Sequence, residues 1–330
     1  MLGQNLKIPT INDIRKADIR IKNKTDISTK IVTSEILNMK YGFPIYIKPE
    51  GLQPTGSFKV RGALNKILKA MEEGLFNHYI TASAGNHAIG LAYSSLLLGV
   101  NSSVVVSEKT PQIKISTCEK LGAEVILHGE NYDEAYKQAE KISNEKNYYY
   151  IHPVADCEIV AGQGTIGLEI LEEMPDIEQV LVPIGGGGLI SGIAIAIKSL
   201  KPDTKIIGVQ PERSNAYYKS WKKGELVKIK NSNTIADGLS LKQPEKYLFN
   251  MINHWVDDIV TVKEDTIDQA IKDFLFLGKL LVEGSGAVTL ASILENKVKT
   301  DIKTVLIGSG SNMDEQRINE VLKVGFDELG

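Results

Sequence analysis

Four consecutive glycines, Gly185, Gly186, Gly187 and Gly188, form the most distinctive chemical feature of the sequence. They follow an apolar, β-branched run at 180–184 and precede a stretch of helical periodicity. A turn of this kind leaves backbone N–H groups free to surround a tetrahedral anion at a helix start. Neither a dinucleotide-binding spacing of glycines nor a P-loop Lys-Ser or Lys-Thr pair is present. Taken alone, the segment is open to two interpretations, a phosphate site and a tight structural turn.

A lysine occupies an unusual position earlier in the chain. Lys59 is predicted to lie in the first turn of a helix, after Thr55 and Ser57 as candidate capping residues. The positive end of a helix disfavours the ammonium form, so an amine there loses its proton more readily and can attack an aldehyde. A solvent-exposed lysine at the start of a helix has the same local sequence. The other motifs therefore decide whether Lys59 is a reactive or a surface residue.

Two further polar turns follow predicted strands. The turn at 83–87 opens a helix, and its N–H groups and serine hydroxyl suit a carboxylate; its residues are Ser83, Ala84, Gly85, Asn86 and His87. Ser309 ends the last predicted strand, where a hydroxyl can hydrogen-bond to a heterocyclic nitrogen. The sequence therefore contains a lysine, two candidate anion sites and a hydroxyl, each on a different turn. This combination indicates a functional site, because turns with a purely structural role would not be expected to carry all four groups.

Short apolar runs alternate with stretches of helical periodicity along the chain. The predicted strands are 44–48, 79–82, 103–106, 124–127, 148–151, 180–184, 205–209, 259–262 and 304–307. The predicted helices include 86–98, 132–144, 159–173, 189–200, 266–278 and 285–294. Thr10 followed by Asp13 predicts an additional N-terminal helix. The alternation predicts an α/β fold with parallel strands, helices on both sheet faces and ligands at the strand C-terminal ends.

The composition excludes several classes of protein. With 330 residues, 42% hydrophobic and 24% charged residues and a formal net charge of −3, the chain has the balance of an ordinary globular protein. We expect no nucleic acid and no membrane as a partner, because there is no global positive charge. Cys118 and Cys157 are too few for a disulfide framework and the histidines lack metal-ligand spacing, so we expect a cytoplasmic protein without a transition metal.

Together these motifs resemble one known family. The segments 55–62, 83–87 and 185–188 are joined by VAGQGT at 160–165, ADG at 236–238 and VEG at 282–284, in the order that fold-type II pyridoxal-phosphate (PLP) enzymes show. The resemblance covers essentially the whole chain and is strongest to the short, biodegradative threonine and serine dehydratases, with serine racemase as a near relative.

The resemblance implies a fold of two open, parallel-rich sheets with helices on both faces. It implies a larger domain at 1–74 plus 156–330 and a smaller, mobile domain at 75–155. No C-terminal regulatory domain is expected, because only 18 residues follow Asn312. It also implies a homo-oligomer, either a dimer or a tetramer.

The resemblance also assigns roles to residues. Lys59 forms the Schiff base with the cofactor, Phe58 packs on its ring, Asn86 bonds its 3-oxygen and Ser309 meets its pyridine nitrogen. Residues 185–188 hold the phosphate, and residues 83–87 hold the substrate carboxylate. Leu189, Gly238 and Glu283 complete the expected cofactor contacts, Glu283 in an electrostatic role, although a surface acid is the alternative interpretation.

The expected reaction is β-elimination, which converts L-threonine to 2-oxobutanoate and ammonia. Within the enzyme class the alternatives are serine racemase and hydroxyaspartate dehydratase. Ala84 weighs against racemisation, because serine racemases carry a serine there and a methyl group donates no proton. Gln210 and Tyr217 stand where racemase-like members have acidic metal ligands, so no divalent ion is expected. A catalytically silent protein that binds an anion or a nucleotide is the alternative from another class.

Overall fold

The structure, a computed structural model, describes residues 7–74 and 76–323. The starts of the two predicted domains, at residues 1 and 75, and the chain end at 330 lie outside these residues. The strands are β1 (Tyr46–Pro49), β2 (His78–Ala82), β3 (Asn101–Val106), β4 (Glu124–Leu127), β5 (Tyr149–Tyr150), β6 (Gln179–Pro183), β7 (Lys205–Pro211), β8 (Asp258–Val262) and β9 (Thr304–Gly308). Every predicted strand is confirmed, with its ends shifted by at most a few residues.

The helices in the described part of the chain are α1 (Ile11–Lys22), α2 (Glu35–Tyr41), α3 (Lys59–Glu72), α4 (Asn86–Leu98), α5 (Gln112–Lys120), α6 (Tyr132–Lys146), α7 (Cys157–Glu173), α8 (Gly188–Leu200), α9 (Ala216–Lys223), α10 (Lys246–Trp255), α11 (Glu264–Phe276), α12 (Gly284–Leu294) and α13 (Glu315–Lys323). The predicted N-terminal helix is confirmed, with Thr10 as its N-cap and a reciprocal capping box to Asp13. Among the residues described, no helix combines the length and the apolar character that crossing a membrane requires.

The chain divides into two compact units. Unit 1 comprises the chain up to Ser28, Gln53–Glu169 and Ser191–Leu200, whereas unit 2 comprises Thr29–Leu52, Ile170–Ile190 and the chain from Lys201. This grouping places residues 53–74 with unit 1, although the sequence assigns them to the larger domain. The division into a larger and a smaller, mobile domain stays a prediction.

Unit 1 contains a four-stranded parallel sheet in the order β4-β3-β2-β5. Alternate residues of its strands point to opposite faces. Val104 and Val106 pack with residues of α4 and α5, while Ile80 and Val105 pack with residues of α6. Both faces are therefore covered by helices, which is the arrangement expected for parallel strands.

Unit 2 contains a five-stranded parallel sheet in the order β1-β9-β6-β7-β8. One buried cluster joins Leu181, Val209 and Leu306 of the sheet to apolar residues of α11 and α12. β6 and β9 are direct neighbours, in register from Gln179 against Thr304. The loops that follow these two strands therefore leave the same edge of the sheet. The predicted α/β class with two parallel sheets is confirmed.

A buried ion pair fixes the helix that begins at Lys59. Arg61 is 1% exposed, and its guanidinium donates to both carboxylate oxygens of Glu169, at 2.5 and 2.9 Å, and to the Thr165 hydroxyl at 3.1 Å. Arginine suits this site because its planar fork matches a carboxylate through two hydrogen bonds. The pair ties the first turn of α3 to α7 within unit 1.

We predict that Glu169→Gln strongly destabilises the protein. The substitution leaves the Arg61 charge buried without a carboxylate, and breaking a buried pair in this way costs about 3–5 kcal/mol. Urea unfolding measures the loss. Glu130→Gln, which breaks the exposed Lys109–Glu130 pair of unit 1, is the control and should change the transition little. Equal transitions for the two variants would contradict the assigned importance of the buried pair.

Candidate active site

Lys59 is the first residue of α3, as predicted, but the cap of this helix differs from the prediction. The N-cap is Phe58, which makes no side-chain capping hydrogen bond. The Thr55 hydroxyl donates instead to the Ser57 carbonyl oxygen at 3.2 Å, and the buried Ser57 hydroxyl has no hydrogen-bond partner among the described residues. The proposed capping by Thr55 and Ser57 is therefore wrong, because their hydroxyls are used or directed elsewhere.

The amino group of Lys59 is desolvated and has one well-defined hydrogen-bond acceptor. Its Nζ donates to the Pro153 carbonyl oxygen at 3.0 Å and lies 5.2 Å from the centroid of the Phe58 ring. Burial lowers the pKa of this amine from 10.5 to about 8. The direction agrees with the sequence prediction, but the cause is desolvation of the charged form. The uncharged fraction of this amine near neutral pH is therefore larger than that of an exposed lysine.

The loop that carries Pro153 is shaped by a histidine. The Nδ1 atom of His152 accepts hydrogen bonds from the backbone N–H groups of Val154 at 3.1 Å and Ala155 at 2.7 Å. Burial lowers the pKa of His152 to about 4, so its ring stays neutral and Nδ1 remains an acceptor at neutral pH. The sequence indicates only that the histidines lack metal-ligand spacing and does not predict this role of His152. The only sequence signal is its position beside a proline after a strand.

The turn at 83–87 lies between β2 and α4, also in unit 1. The Ser83 hydroxyl accepts a hydrogen bond from the Gly85 N–H at 3.3 Å, and α4 begins at Asn86. Ser83, Ala84, Gly85 and Asn86 are half-buried, and a Cβ built on Gly85 would meet no atom within 4 Å. The turn therefore places a helix N-terminus beside open space, which suits an anionic group.

His87 differs from the other residues of this turn because it is 2% exposed. Its Nε2 lies 3.4 Å from the Ile151 carbonyl oxygen, and its Nδ1 has no hydrogen-bond partner within the described residues. Burial, assisted by the Lys59 charge, lowers the pKa of His87 to about 3. The imidazole is therefore neutral, and its interaction with a substrate carboxylate would be a hydrogen bond rather than an ion pair.

Close packing joins α4 to the backbone of Lys59. A Cβ on Gly90 would lie 3.2 Å from the carbonyl carbon of Lys59 and from the backbone nitrogen of Val60. The two helices can approach this closely only because position 90 has no side chain. Unit 1 thus brings together Phe58, Lys59 and the turn at 83–87.

Unit 2 contains the remaining predicted site residues. The glycine loop, residues 185–188, follows β6, and α8 begins at Gly188, so the predicted strand-to-helix turn is confirmed. Gly187 has φ +97°, a left-handed conformation that other residues rarely adopt. A Cβ on Gly185 would lie 2.5 Å from the Gly238 carbonyl oxygen, so Gly238 lies directly against the loop. Leu189 is buried in the first turn of α8.

Ser309 and Glu283 are also neighbours in unit 2. Ser309 follows β9 and is 3% exposed, and a Cβ on Gly286 of α12 would lie 2.8 Å from its backbone nitrogen. Glu283 is the N-cap of α12, and its N–H donates to the Gly310 carbonyl oxygen at 2.9 Å. At 5% exposure, Glu283 is not the surface acid of the alternative interpretation.

No group of three or more His, Cys, Asp or Glu side chains suited to a metal ion occurs within residues 7–74 and 76–323. Cys118 and Cys157 are both free thiols. Burial raises the pKa of Cys157 to about 12, so this thiol is not a nucleophile at neutral pH. The candidate functional groups described in the two units include an amine, hydroxyls, two neutral imidazoles and backbone N–H groups.

A lysine amine of lowered pKa, a strand-to-helix glycine loop and a buried hydroxyl after a neighbouring strand are features of a vitamin B6 enzyme. Residues 24–310 match the family described as pyridoxal-phosphate dependent enzyme, and the chain belongs to this family. The predicted family and its cofactor are thereby confirmed.

Three similar proteins illustrate its place in the family. An L-threonine ammonia-lyase of Geobacter sulfurreducens is 45% identical over 319 residues, which is 96% of this chain and 79% of the relative. The structure of maize serine racemase superimposes with a TM-score of 0.89 at 30% identity, covering 95% of this chain and 97% of that one. Processed threonine deaminase isoform 2 of Solanum lycopersicum gives a TM-score of 0.86 at 36% identity, covering 98% and 97%.

We predict that Lys59 reacts with amine-selective acylating reagents at unusually low pH. In protein freed of cofactor, the rate of Lys59 labelling should rise as the pH passes about 8. Burial lowers the pKa of Lys59 to about 8, so the reactive, uncharged amine predominates above this pH. Peptide mapping by mass spectrometry measures the rate at each pH. Lys137, an exposed lysine of unit 1, is the internal reference. A Lys59 profile that coincides with that of Lys137 would refute the assigned effect of burial.

Proposed function

We propose that this chain is a PLP-dependent ammonia-lyase that removes water and then ammonia from a small β-hydroxy amino acid, L-threonine or L-serine. The observation that carries the proposal is the buried Lys59 amine, half of whose population is uncharged at about pH 8. Only the uncharged amine can bond to an aldehyde and later accept a proton. The 45% identity to an L-threonine ammonia-lyase over 96% of the chain supports this reaction.

The residues of unit 1 fit the reactive side of the cofactor and the substrate. In this proposal Lys59 bonds to the aldehyde, Phe58 packs on the ring and Asn86 hydrogen-bonds the 3-oxygen. The position of the Lys59 Nζ, 5.2 Å from the Phe58 ring, supports the first two roles. The turn at 83–87 binds the substrate carboxylate through the Ser83 hydroxyl and the N–H groups at the start of α4.

We propose further roles for residues of unit 2, each argued from its surroundings within that unit. The glycine loop binds the phosphate, with Leu189 and Gly238 beside it. A Cβ on Gly185 would clash with the Gly238 carbonyl and one on Gly187 with the Tyr217 hydroxyl, so larger residues would displace the loop. The Ser309 hydroxyl bonds to the pyridine nitrogen and Glu283 contributes to the electrostatics of the ring. A neutral hydroxyl does not enforce protonation of that nitrogen, unlike a carboxylate.

Bound PLP supplies a conjugated ring that spreads the negative charge left when a proton leaves the substrate α-carbon. The protein has to hold that proton and keep water out. In our proposal the Lys59 amine accepts it at Nζ, and the Pro153 carbonyl stabilises the resulting ammonium by accepting one of its hydrogen bonds. His152 keeps this carbonyl in place through its two backbone hydrogen bonds.

Serine racemase is the second candidate, favoured by the TM-score of 0.89 to the maize enzyme. Ala84 supports the lyase, because racemisation requires a second proton donor and a methyl group is not one. Hydroxyaspartate dehydratase and a silent anion-binding protein are the remaining candidates. A panel of L-threonine, L-serine, D-serine and hydroxyaspartate, assayed for ammonia, 2-oxo acid and enantiomer, separates them. Absence of ammonia from every substrate would refute the lyase.

We also propose that the protein acts in the cytoplasm as a dimer or tetramer of identical chains. Two free thiols and no disulfide among the described residues support a reducing compartment. The oligomeric state follows from light scattering of the purified protein, and a monomer would contradict it.

We predict that Lys59→Ala abolishes both cofactor attachment and catalysis. The purified protein should absorb near roughly 410 nm through its lysine-bound cofactor, and the variant should lose this band. Ammonia release from L-threonine should fall by at least about a hundredfold, because the proton acceptor is missing. Lys137→Ala, at an exposed position, is the control. A colourless wild-type protein would support the silent binding protein instead.

We predict that Ser309→Asp slows ammonia release by roughly tenfold or more, a barrier change of about 1.4 kcal/mol. A carboxylate would stabilise the protonated form of the ring nitrogen, with the proton taken from solvent, and would prolong the life of the negative charge at the α-carbon, which favours side reactions over elimination. Ser309→Thr, similar in volume but still a neutral hydroxyl, is the matched control. If both variants release ammonia equally fast, the electronic role of Ser309 is disproved.

A further inference from the structure

Two buried side chains donate hydrogen bonds to backbone carbonyls, one within the glycine loop and one at the residue just before it. The Nε2 of Gln210, at the end of β7, donates to the Ile184 carbonyl oxygen at 3.1 Å. The hydroxyl of Tyr217, in α9, donates to the Gly186 carbonyl oxygen at 2.8 Å. Both side chains are completely buried. We call Gln210 and Tyr217 the brace of the loop.

The two members of the brace are themselves connected. The Oε1 of Gln210 accepts a hydrogen bond from the Tyr218 backbone N–H at 2.9 Å, so the end of β7 is linked to α9. The Ile184 N–H donates to the Val209 carbonyl oxygen at 2.9 Å. Both backbone polar groups of Ile184 are therefore held by the end of β7, and the loop starts from a fixed residue.

The Tyr217 hydroxyl is held in a donor state beneath Gly187. Burial, together with the Glu245 charge, raises the pKa of Tyr217 far above its usual value, and the Glu245 backbone hydrogen-bonds to the same oxygen. A Cβ on Gly187 would lie only 2.7 Å from this hydroxyl oxygen. The glycine at 187 is thus required both by its positive φ and by the tyrosine that packs under it.

Holding these carbonyls fixes the direction of the neighbouring N–H groups. In a planar trans peptide the C=O of one residue and the N–H of the next point in opposite directions, and the described residues contain no cis peptide bond. The Ile184 carbonyl therefore sets the direction of the Gly185 N–H, and the Gly186 carbonyl sets that of the Gly187 N–H. Both N–H groups point away from the side chain that holds their peptide.

We infer that Gln210 and Tyr217 are positioning residues that determine the phosphate selectivity of the cofactor site, by orienting the N–H groups of Gly185 and Gly187. The inference rests on the proposed function, in which the glycine loop binds the cofactor phosphate. Neither side chain touches the phosphate. Each side chain fixes the orientation of one peptide group. Without the brace, that peptide group can rotate, and its N–H group then no longer points at the phosphate.

Tyr217→Phe tests the inference, because it removes the donor and keeps the ring. Cofactor-free protein is titrated with PLP and, separately, with pyridoxal, which lacks the phosphate, and the dissociation constants are read from absorbance. For the wild type we expect much tighter binding of PLP. For the variant, the dissociation constant for PLP should rise roughly tenfold, the usual effect of losing one buried hydrogen bond, while that for pyridoxal should stay within about twofold. Gln210→Met should act in the same direction.

Tyr41→Phe is the matched control. It also removes a tyrosine hydroxyl that donates within unit 2, but to the Asp273 carboxylate instead of the loop. This variant should keep the wild-type ratio of the two dissociation constants even if its melting temperature falls. The ratio therefore separates positioning of the phosphate site from a general loss of stability, which would weaken both ligands equally.

The possible failures are distinguishable. If Tyr217→Phe and Gln210→Met both retain the wild-type ratio, or weaken PLP and pyridoxal equally, the brace has no role in phosphate selectivity and the inference is overturned. If the wild type itself shows no preference for PLP over pyridoxal, the phosphate role of the glycine loop in the proposed function fails. Should one variant not fold, the other still decides the outcome.

Discussion

The chemistry that we propose for this protein depends on keeping one amine out of water. A lysine at the protein surface is almost fully charged near neutral pH and cannot act as a nucleophile or a base. Burial of Lys59 against Phe58 and the Pro153 carbonyl removes much of the solvation that stabilises the charge. The carbonyl partner matters because it stabilises the amine in either protonation state, whereas a carboxylate would restore the charge permanently.

Neutral groups recur throughout both units for the same reason. His87 and His152 are buried and uncharged, Tyr217 stays protonated, and Gln210 holds the loop through an amide. A charged side chain at these positions would act on the Lys59 amine or on a bound phosphate over several ångströms in an environment of low dielectric constant. Neutral hydrogen-bonding groups fix geometry without this side effect. The buried Arg61–Glu169 pair contains one positive and one negative charge, so its net electrostatic effect on other groups is small.

The sequence predicts the strands and the glycine loop well, because β-branched runs and consecutive glycines are local signals. It does not predict short helices such as α2 and α9, whose few turns carry little periodicity and whose stability comes from packing. It also assigns the wrong cap to α3, because Thr55 and Ser57 have suitable side chains but their hydroxyls are directed elsewhere. The contributions of His152, Gln210 and Tyr217 escape it entirely. Gln210 and Tyr217 act on the backbone of residues distant in sequence, and His152 acts on the backbone of its own loop. A linear pattern encodes neither kind of contact.

The strand order also constrains how the chain folds as it is synthesised. All four strands of the unit 1 sheet lie between residues 78 and 150, so this sheet can close once residue 150 has left the ribosome. In unit 2, by contrast, the one strand of the sheet that pairs with β1, at residues 46–49, is β9, at residues 304–308, while a single bridge joins Ile47 to Val32 on the other side. The edge of β1 that faces β9 therefore stays unpaired until residue 308 has been synthesised. Such a non-local pairing slows folding and exposes an aggregation-prone segment to chaperones in the interval.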